Sequence, residues 1–483
     1  MKAKAIKKTK YTTLTPKLSD WMKDIFADFE PISELFEKYN SPINLHHLKS
    51  FGNNYREFAE TLKKYNLLHT VYFARKANKC AAFCVEAKRL GFGVDTAGFN
   101  EVKQCLDLGI PASKLVLTAA VKEKRLIKLA VENDVLIIVD NLDEIGQIER
   151  TASDLNRDVR VGVRIGGFEF DGETLYTRFG FTVERAFELV TEKFPQEFQH
   201  LKFEGLHFHL HGYSRKQRGT ALIQTIGLAE KLKTKNINTN FIDIGGGFLV
   251  NYLGNEDEWN EFHEELKSAF KGEHEPITFG NDGLGMNLIN GEIYGEPKVY
   301  PYFNKTPRGV FLEEVLKYQD SKGKTVAKLL KKNDIELRLE PGRSLLDQAG
   351  MTVARVAFRK QDLNGDWLIG LEMNRTQMFS SSADFLLEPT VIYKEKPTAN
   401  DESVKAFFVG AYCLEQEFLL KRKIKLEKLP AIGDAVCFPN TAGYMMHFFE
   451  SEAHLFDLAE NLVFNDAGSN KFMTDKEYAE QHK

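Results

Sequence analysis

The chain has 483 residues, of which 43% are hydrophobic and 28% charged, with a formal net charge of −4. These proportions are ordinary for a globular enzyme, and the length suits two large domains or a barrel with a companion. The balance of charge gives no general pull toward nucleic acid or anionic membrane, and no apolar run approaches the roughly 18 residues of a membrane span.

Five of the first ten residues are lysine, but residues 9–15 are polar and no apolar signal core follows. The start therefore reads as a frayed basic terminus rather than an export signal. The five cysteines, Cys80, Cys84, Cys105, Cys413 and Cys437, form no CxxC pair and no zinc spacing. The first three fall in helical patterns as small core residues, and the usage fits a reducing cytoplasm.

Residues 41–45 are a short candidate strand. Strand-like apolar runs then occur at 71–77, 91–97, 115–118, 135–140, 159–165, 203–210, 241–245 and 335–340. Segments with helical apolar spacing separate the first seven, among them 79–90, 100–108, 122–133 and 218–232. Eight apolar strands alternating with helices predict a closed parallel (β/α)8 barrel, with an open doubly wound sheet as the rival. The barrel is expected over 47–345. Within it, 249–325 is aromatic and glycine-rich and reads as an insertion over the mouth, a lid or a dimer contact. After Arg343 the texture changes to short strands at 352–359, 367–371, 404–409 and 434–438. These predict a mostly β second domain built from 346–483 and the first 46 residues, with a loose polar tail from Asn465.

In a parallel barrel, chemistry gathers at the carboxyl ends of the strands. The first strand ends at Lys76, the second at Asp95 and the fifth at Arg164. The sixth carries His207, His209 and His211, the seventh ends in Gly245-Gly246-Gly247, and the eighth in Glu340-Pro341-Gly342-Arg343. A lysine can form an imine. Three glycines let backbone amides approach a phosphate, and an arginine adds a fork of donors. A carboxylate can face a ring nitrogen and an imidazole can stack on a ring. Together the groups describe a pyridoxal phosphate site. Each has a plainer reading taken alone: a solvated lysine, a glycine turn, a Glu–Arg salt bridge, or a metal site on the alternating histidines. No metal is expected, because no carboxylate-rich partner stands out.

The motifs Ala74-Arg75-Lys76-Ala77-Asn78, Gly93-Val94-Asp95-Thr96-Ala97, Gly205-Leu206-His207-Phe208-His209, Asp243-Ile244-Gly245-Gly246-Gly247-Phe248 and Glu340-Pro341-Gly342-Arg343 stand in order. Gly410-Ala411-Tyr412-Cys413, Gly433-Asp434 and Ala442-Gly443-Tyr444 follow them. Over roughly residues 40–460 the chain resembles the fold-type III pyridoxal phosphate decarboxylases, the diaminopimelate, ornithine and biosynthetic arginine decarboxylase group. The resemblance implies an alanine racemase-like barrel with a C-terminal β domain and a homodimer with shared active sites. It implies that Lys76 carries the cofactor and His209 stacks on its ring. Gly245, Gly246, Gly247, Arg343 and Tyr444 would bind the phosphate, and Glu340 would keep the pyridine nitrogen protonated. Asp95, Arg164 and Gly342 join the cofactor set. Cys413, from a second subunit, would return a proton after carbon dioxide leaves.

The pattern breaks in places. Where the family usually reads His-x-Gly-Ser, this chain has His209-Leu210-His211-Gly212-Tyr213-Ser214, leaving open whether His211 or Ser214 reaches the phosphate. Leu414 stands where an acidic substrate contact is common, with Glu415 and Glu417 following. Glu388 stands where diaminopimelate decarboxylases carry an arginine for a distal carboxylate, five residues before Tyr393. With Glu388, Tyr393 and Glu415 taken as substrate contacts, the expectation is decarboxylation of an L- or D-amino acid with a basic or polar side chain, such as ornithine or lysine. Diaminopimelate decarboxylation, racemisation and a non-catalytic regulator are the alternatives. A racemase of this barrel type would place arginine at the ring nitrogen, and a regulator would be expected to lose Lys76 or Cys413.

Overall fold

The computed structural model describes residues 11–380, 385–465 and 471–482. The basic terminus expected at residues 1–10 lies outside them. The chain divides into two compact units. One comprises Met1–His47, Val250–Lys305 and Leu346–Thr474, and the other Leu48–Leu249, Thr306–Leu345 and Asp475–Lys483.

The second unit is a closed barrel of eight parallel strands. They are β1 (His69–Ala74), β2 (Gly93–Thr96), β3 (Leu115–Leu117), β4 (Leu136–Val139), β5 (Val159–Arg164), β6 (Leu201–His207), β7 (Phe241–Asp243) and β8 (Glu336–Leu339). They close in the order β7-β8-β1-β2-β3-β4-β5-β6. All eight match the expected runs. All are short, and β2, β3, β4 and β7 are buried throughout, as in a sheet covered on both sides, whereas β8 alternates in burial. Tyr72, Val116, Leu136, Ile138 and Phe241 pack together within the barrel unit. Gly205 makes room for them, since a Cβ there would lie 2.6 Å from the Phe241 ring. Parallel register brings Arg164 opposite His207, and His207 opposite Asp243. Three strands thus deliver polar side chains at one level.

The insertion is smaller than its expected 249–325. Val250–Lys305 belongs to the other unit, whereas the helices Arg308–Lys317 and Val326–Lys332 belong to the barrel unit. Phe311, Leu312, Val315 and Leu316 are completely buried, which is the spacing of a covering helix rather than of a lid. The tail also differs from expectation. Phe472–Thr474 is a strand and Asp475–Gln481 a helix. The Asp475 carboxylate accepts the amides of Ala81 and Ala82 at 2.9 and 2.8 Å. It thereby caps the helix Ala81–Leu90, whose own leading residue Cys80 makes no side-chain cap bond.

The β unit is organised on the strand Gly350–Gln361, which pairs antiparallel with Ile43–His46, Trp367–Leu371 and Ala435–Pro439. The helix Glu256–Phe270 from the inserted segment sets Phe262 and Leu266 into the same core as Leu371, Phe408 and Phe438. Two helices, Asp20–Phe26 and Glu30–Tyr39, cover a second core with Trp21, Met22, Ile32 and Phe36.

Candidate active site

At the carboxyl end of β1 the chain leaves the strand in a single 3-10 turn, Arg75–Ala77. Lys76 is turned outward while its neighbours are buried. Its Nζ donates to Asp95 Oδ2 at 2.8 Å, and Thr118 Oγ1 donates to the other oxygen, Oδ1, at 2.5 Å. Burial, and then the charge of Glu340, pushes the Asp95 carboxyl above the usual carboxylate range, with Lys76 acting against that. The turn rests on Arg75. Its guanidinium donates to the carbonyls of Asn78 and Lys79 and to Gln104 Oε1.

Arg164, Asp243 and Glu340 are also buried. His207 Nε2 lies 3.2 Å from Glu340 Oε1. Burial raises the Glu340 carboxyl and, with the charge of Arg164, holds the His207 ring neutral. Asp243 Oδ1 accepts the amide of Gly245 at 2.9 Å, while Oδ2 has no partner among the described residues. Its carboxyl lies well above the usual range through burial and the Glu340 charge. Arg164 stacks over the ring of Phe179, 4.1 Å from its centroid.

The glycine run performs a more divided task than three amides for one phosphate. Gly245 and Gly247 take φ of +64° and +83°, a region glycine enters at no steric cost. The amide of Gly245 is taken by Asp243, and that of Gly246 donates to His209 Nδ1 at 3.2 Å. An amide can only donate, so Nδ1 is the acceptor and the neutral ring carries its hydrogen on Nε2. The ring has exposed surface, yet the protein packed around it and then the charge of Arg218 lower its pKa and favour the neutral form. The amide of Gly247 has no acceptor among the described residues. A Cβ on Gly245 would meet His209 Nδ1 at 2.6 Å, and one on Gly246 would meet the Glu340 carbonyl at 2.7 Å. Ser214 Oγ accepts the amide of Gln217 at 3.2 Å, capping the helix Arg215–Lys233. Arg343 is half-buried just after the buried Gly342, in the irregular segment following β8. Arg218 was not anticipated. It is a completely buried guanidinium beneath the glycines.

The remaining expected residues, Cys413, Tyr444, Glu388, Tyr393 and Glu415, lie in the β unit. Cys413 is exposed, and the other four cysteines are buried. Its loop is held by Tyr412, whose hydroxyl donates to the Ser451 carbonyl at 3.0 Å, and by buried Glu417, which accepts the Arg375 amide at 2.7 Å. Leu414 and Glu415 are exposed beside Cys413. Tyr444 takes φ +73°, a strained conformation for a bulky residue of the kind that concentrates at functional sites. Tyr393 is buried, and its hydroxyl donates to the Lys428 carbonyl at 3.1 Å. Glu388 is not the free carboxylate anticipated for a substrate ammonium. Arg422 is ion-paired with it, Tyr11 Oη donates to both its oxygens at 2.9 and 3.1 Å, and the Leu14 amide adds a bond at 3.1 Å. Arg422 is buried, so its charge needs this partner inside the unit.

Residues 48–279 match the family model described as the pyridoxal-dependent decarboxylase, pyridoxal binding domain. The uncharacterized protein y4yA of Sinorhizobium fredii is 25% identical over 451 residues, covering 91% of this chain and 92% of that protein. The diaminopimelate decarboxylase of Pseudomonas aeruginosa is 25% identical over 357 residues, covering 72% and 71%. Among solved structures, diaminopimelate decarboxylase from Helicobacter pylori complexed with L-lysine has a TM-score of 0.68 at 18% identity, covering 92% of this chain and 95% of that one. Lysine/ornithine decarboxylase from Vibrio vulnificus complexed with putrescine has a TM-score of 0.66 at 19% identity, covering 93% and 99%.

The residues present fit pyridoxal phosphate. An outward lysine amine stands at the mouth, a glycine cradle leaves no room for a Cβ, and Asp243 Oδ2 and His207 Nδ1 are buried without partners among the described residues. Over residues 48–279 the chain carries the pyridoxal binding domain of the pyridoxal-dependent decarboxylases, and its barrel with the β unit has the fold of the solved decarboxylases.

Proposed function

We propose that the protein removes carbon dioxide from an amino acid with a basic or polar side chain, of the lysine or ornithine kind, and releases the corresponding amine. The observation that carries this reading is the convergence of Lys76, Asp95, Arg164, His209, the glycine turn and Glu340 at the carboxyl ends of one barrel. Bound pyridoxal phosphate supplies an aldehyde that condenses with amines and a ring that takes up the electron pair left when carbon dioxide departs.

The chain's own residues set the conditions for that chemistry. Lys76 Nζ must shed a proton to become a nucleophile, and Asp95 Oδ2 is the adjacent acceptor, fixed from its other oxygen by Thr118. Glu340, steadied by His207, would favour a protonated ring nitrogen in the bound cofactor, the form that best takes up the electron pair. His209 offers a neutral ring face whose orientation the Gly246 amide fixes. The Gly247 amide and the Arg343 guanidinium provide donors for the phosphate. Cys413, exposed on its loop, is the acid that returns a proton to the substrate carbon, brought by a second copy of the chain.

The relatives named for lysine and ornithine favour a basic side chain, and those named for diaminopimelate favour a second reading. Glu388 lends the first reading one support: the position that would carry an arginine for a distal carboxylate holds a glutamate already committed to Arg422. Incubating cofactor-loaded protein with L- and D-amino acids, both hands of lysine and ornithine and meso-diaminopimelate, and measuring carbon dioxide release, separates them. The expected result is higher kcat/KM for lysine or ornithine. Higher kcat/KM for diaminopimelate transfers the assignment to the second reading, and no release from any substrate refutes both.

A further inference from the structure

Arg218 sits in the helix Arg215–Lys233 with no exposed surface, and no carboxylate pairs with it among the described residues. Its Nη1 donates to the carbonyls of Ile244 at 3.1 Å and Gly246 at 2.6 Å. Nη2 reaches the Gly247 carbonyl at 3.5 Å, and Nε has no partner. The remaining surroundings are rings, with Phe248 and Phe311 centred 5.5 and 5.7 Å from the guanidinium carbon. Carbonyl dipoles and ring faces stabilise a cation but do not neutralise it. A buried charge without a counter-ion is costly, and here burial pulls the guanidinium down to about 10, with Tyr213 acting in the opposite direction.

The peptide geometry says where the missing anion belongs. In a trans peptide the carbonyl and the following amide point in opposite directions. When Ile244, Gly246 and Gly247 turn their oxygens down onto Arg218, the amides of Gly245, Gly247 and Phe248 point the other way. Gly245 spends its amide on Asp243, whereas Gly247 has no acceptor among the described residues. An anion bound there would lie one peptide layer from a fixed positive charge. The fit is close from the other side as well, since a Cβ on Gly247 would stand 2.7 Å from Arg218 Nη2.

We propose that Arg218 is the buried counter-charge of the phosphate subsite: it shapes the glycine turn through its carbonyls and holds the phosphate of the cofactor electrostatically from beneath. It touches no reacting atom and is a positioning residue. The inference rests on the pyridoxal phosphate reading above.

The test compares pyridoxal 5′-phosphate with pyridoxal, which has the same aldehyde and ring but no phosphate. Both are titrated by visible absorbance into the cofactor-free full chain as wild type, R218Q and R218K. Melting temperatures are measured with and without inorganic phosphate. The expected result is that R218Q weakens pyridoxal 5′-phosphate by about 10–100-fold, as for loss of a charge-assisted contact, leaves pyridoxal within about twofold, and loses stabilisation by inorganic phosphate. R218K, which keeps the charge, should retain most of the preference for the phosphorylated compound. Equal weakening of both compounds would make Arg218 a structural clamp and overturn the proposal, as would unchanged affinities in R218Q. Should R218Q fail to fold, R218K decides, because collapse of its preference for the phosphorylated compound also overturns the proposal. A wild type that binds neither compound refutes the cofactor reading itself.

Discussion

Lys76 and Asp95 form a close pair at the barrel mouth, Nζ to Oδ2 at 2.8 Å, in which the lysine side chain is 38% exposed and the carboxylate not at all. One partner can meet an incoming aldehyde while the other stays fixed. Lys76→Ala is expected to abolish visible absorbance of bound cofactor, and borohydride reduction followed by peptide mapping should mark Lys76. A mark on another lysine removes it from the reaction. Asp95→Asn keeps the shape but removes the proton acceptor, so cofactor loading should slow and its rate should shift toward higher pH. An unchanged pH–rate profile would leave Asp95 only a structural partner.

Asp243 supplies a pH test independent of activity. Its folded carboxyl is raised by burial and the Glu340 charge. An acid with a raised folded pKa holds more protons folded than unfolded between the two values, so stability falls as pH climbs through that window. Asp243→Asn removes this contribution and keeps an oxygen for the Gly245 amide. In urea unfolding of cofactor-free protein, the variant should gain on wild type from about pH 4, the ordinary aspartate value, upward to the raised value and then level off. A stability difference that is flat with pH would refute this assignment of the cost to Asp243.

The barrel was legible because its strands are short apolar runs separated by helical spacing, a pattern few folds share. The strand-end candidates stand out in the sequence because each lies next to such a run. Arg218 does not. An arginine in a helical run ordinarily reads as solvated, and its burial follows from the Phe248 and Phe311 rings, one of them 93 positions away in the sequence. The partners of Glu388 are hidden for a similar reason. Its position suggested a substrate contact, but Tyr11 and Arg422, which hold it, lie far along the chain in both directions. The capping of Ala81–Leu90 by Asp475 is equally invisible in sequence, because the cap comes from the tail.

The Glu388–Arg422 pair makes a prediction about stability rather than specificity. Glu388→Gln leaves a buried guanidinium without its anion, and breaking a buried pair costs roughly 3–5 kcal/mol. The urea midpoint should fall, while the ratio of kcat/KM for lysine and diaminopimelate should stay within about twofold. A changed ratio with unchanged stability would return Glu388 to the substrate site.

Cys413 is the exposed cysteine of the five, on a loop shaped by Tyr412 and Glu417. In the native protein one thiol should therefore react rapidly with iodoacetamide, and mapping should find it at 413. Cys413→Ala should keep fold and cofactor absorbance and lower turnover by about 10²–10⁴-fold, the usual contribution of a positioned acid. Because Cys413 and Lys76 belong to different compact units, a shared site between two copies has a specific signature. Mixing inactive Lys76→Ala with Cys413→Ala should restore part of the activity, since one of the two sites in a mixed dimer then holds both groups. Wild-type turnover by Cys413→Ala would reduce the thiol to a surface residue. No rescue after demonstrated subunit exchange would place both groups of each site in one chain.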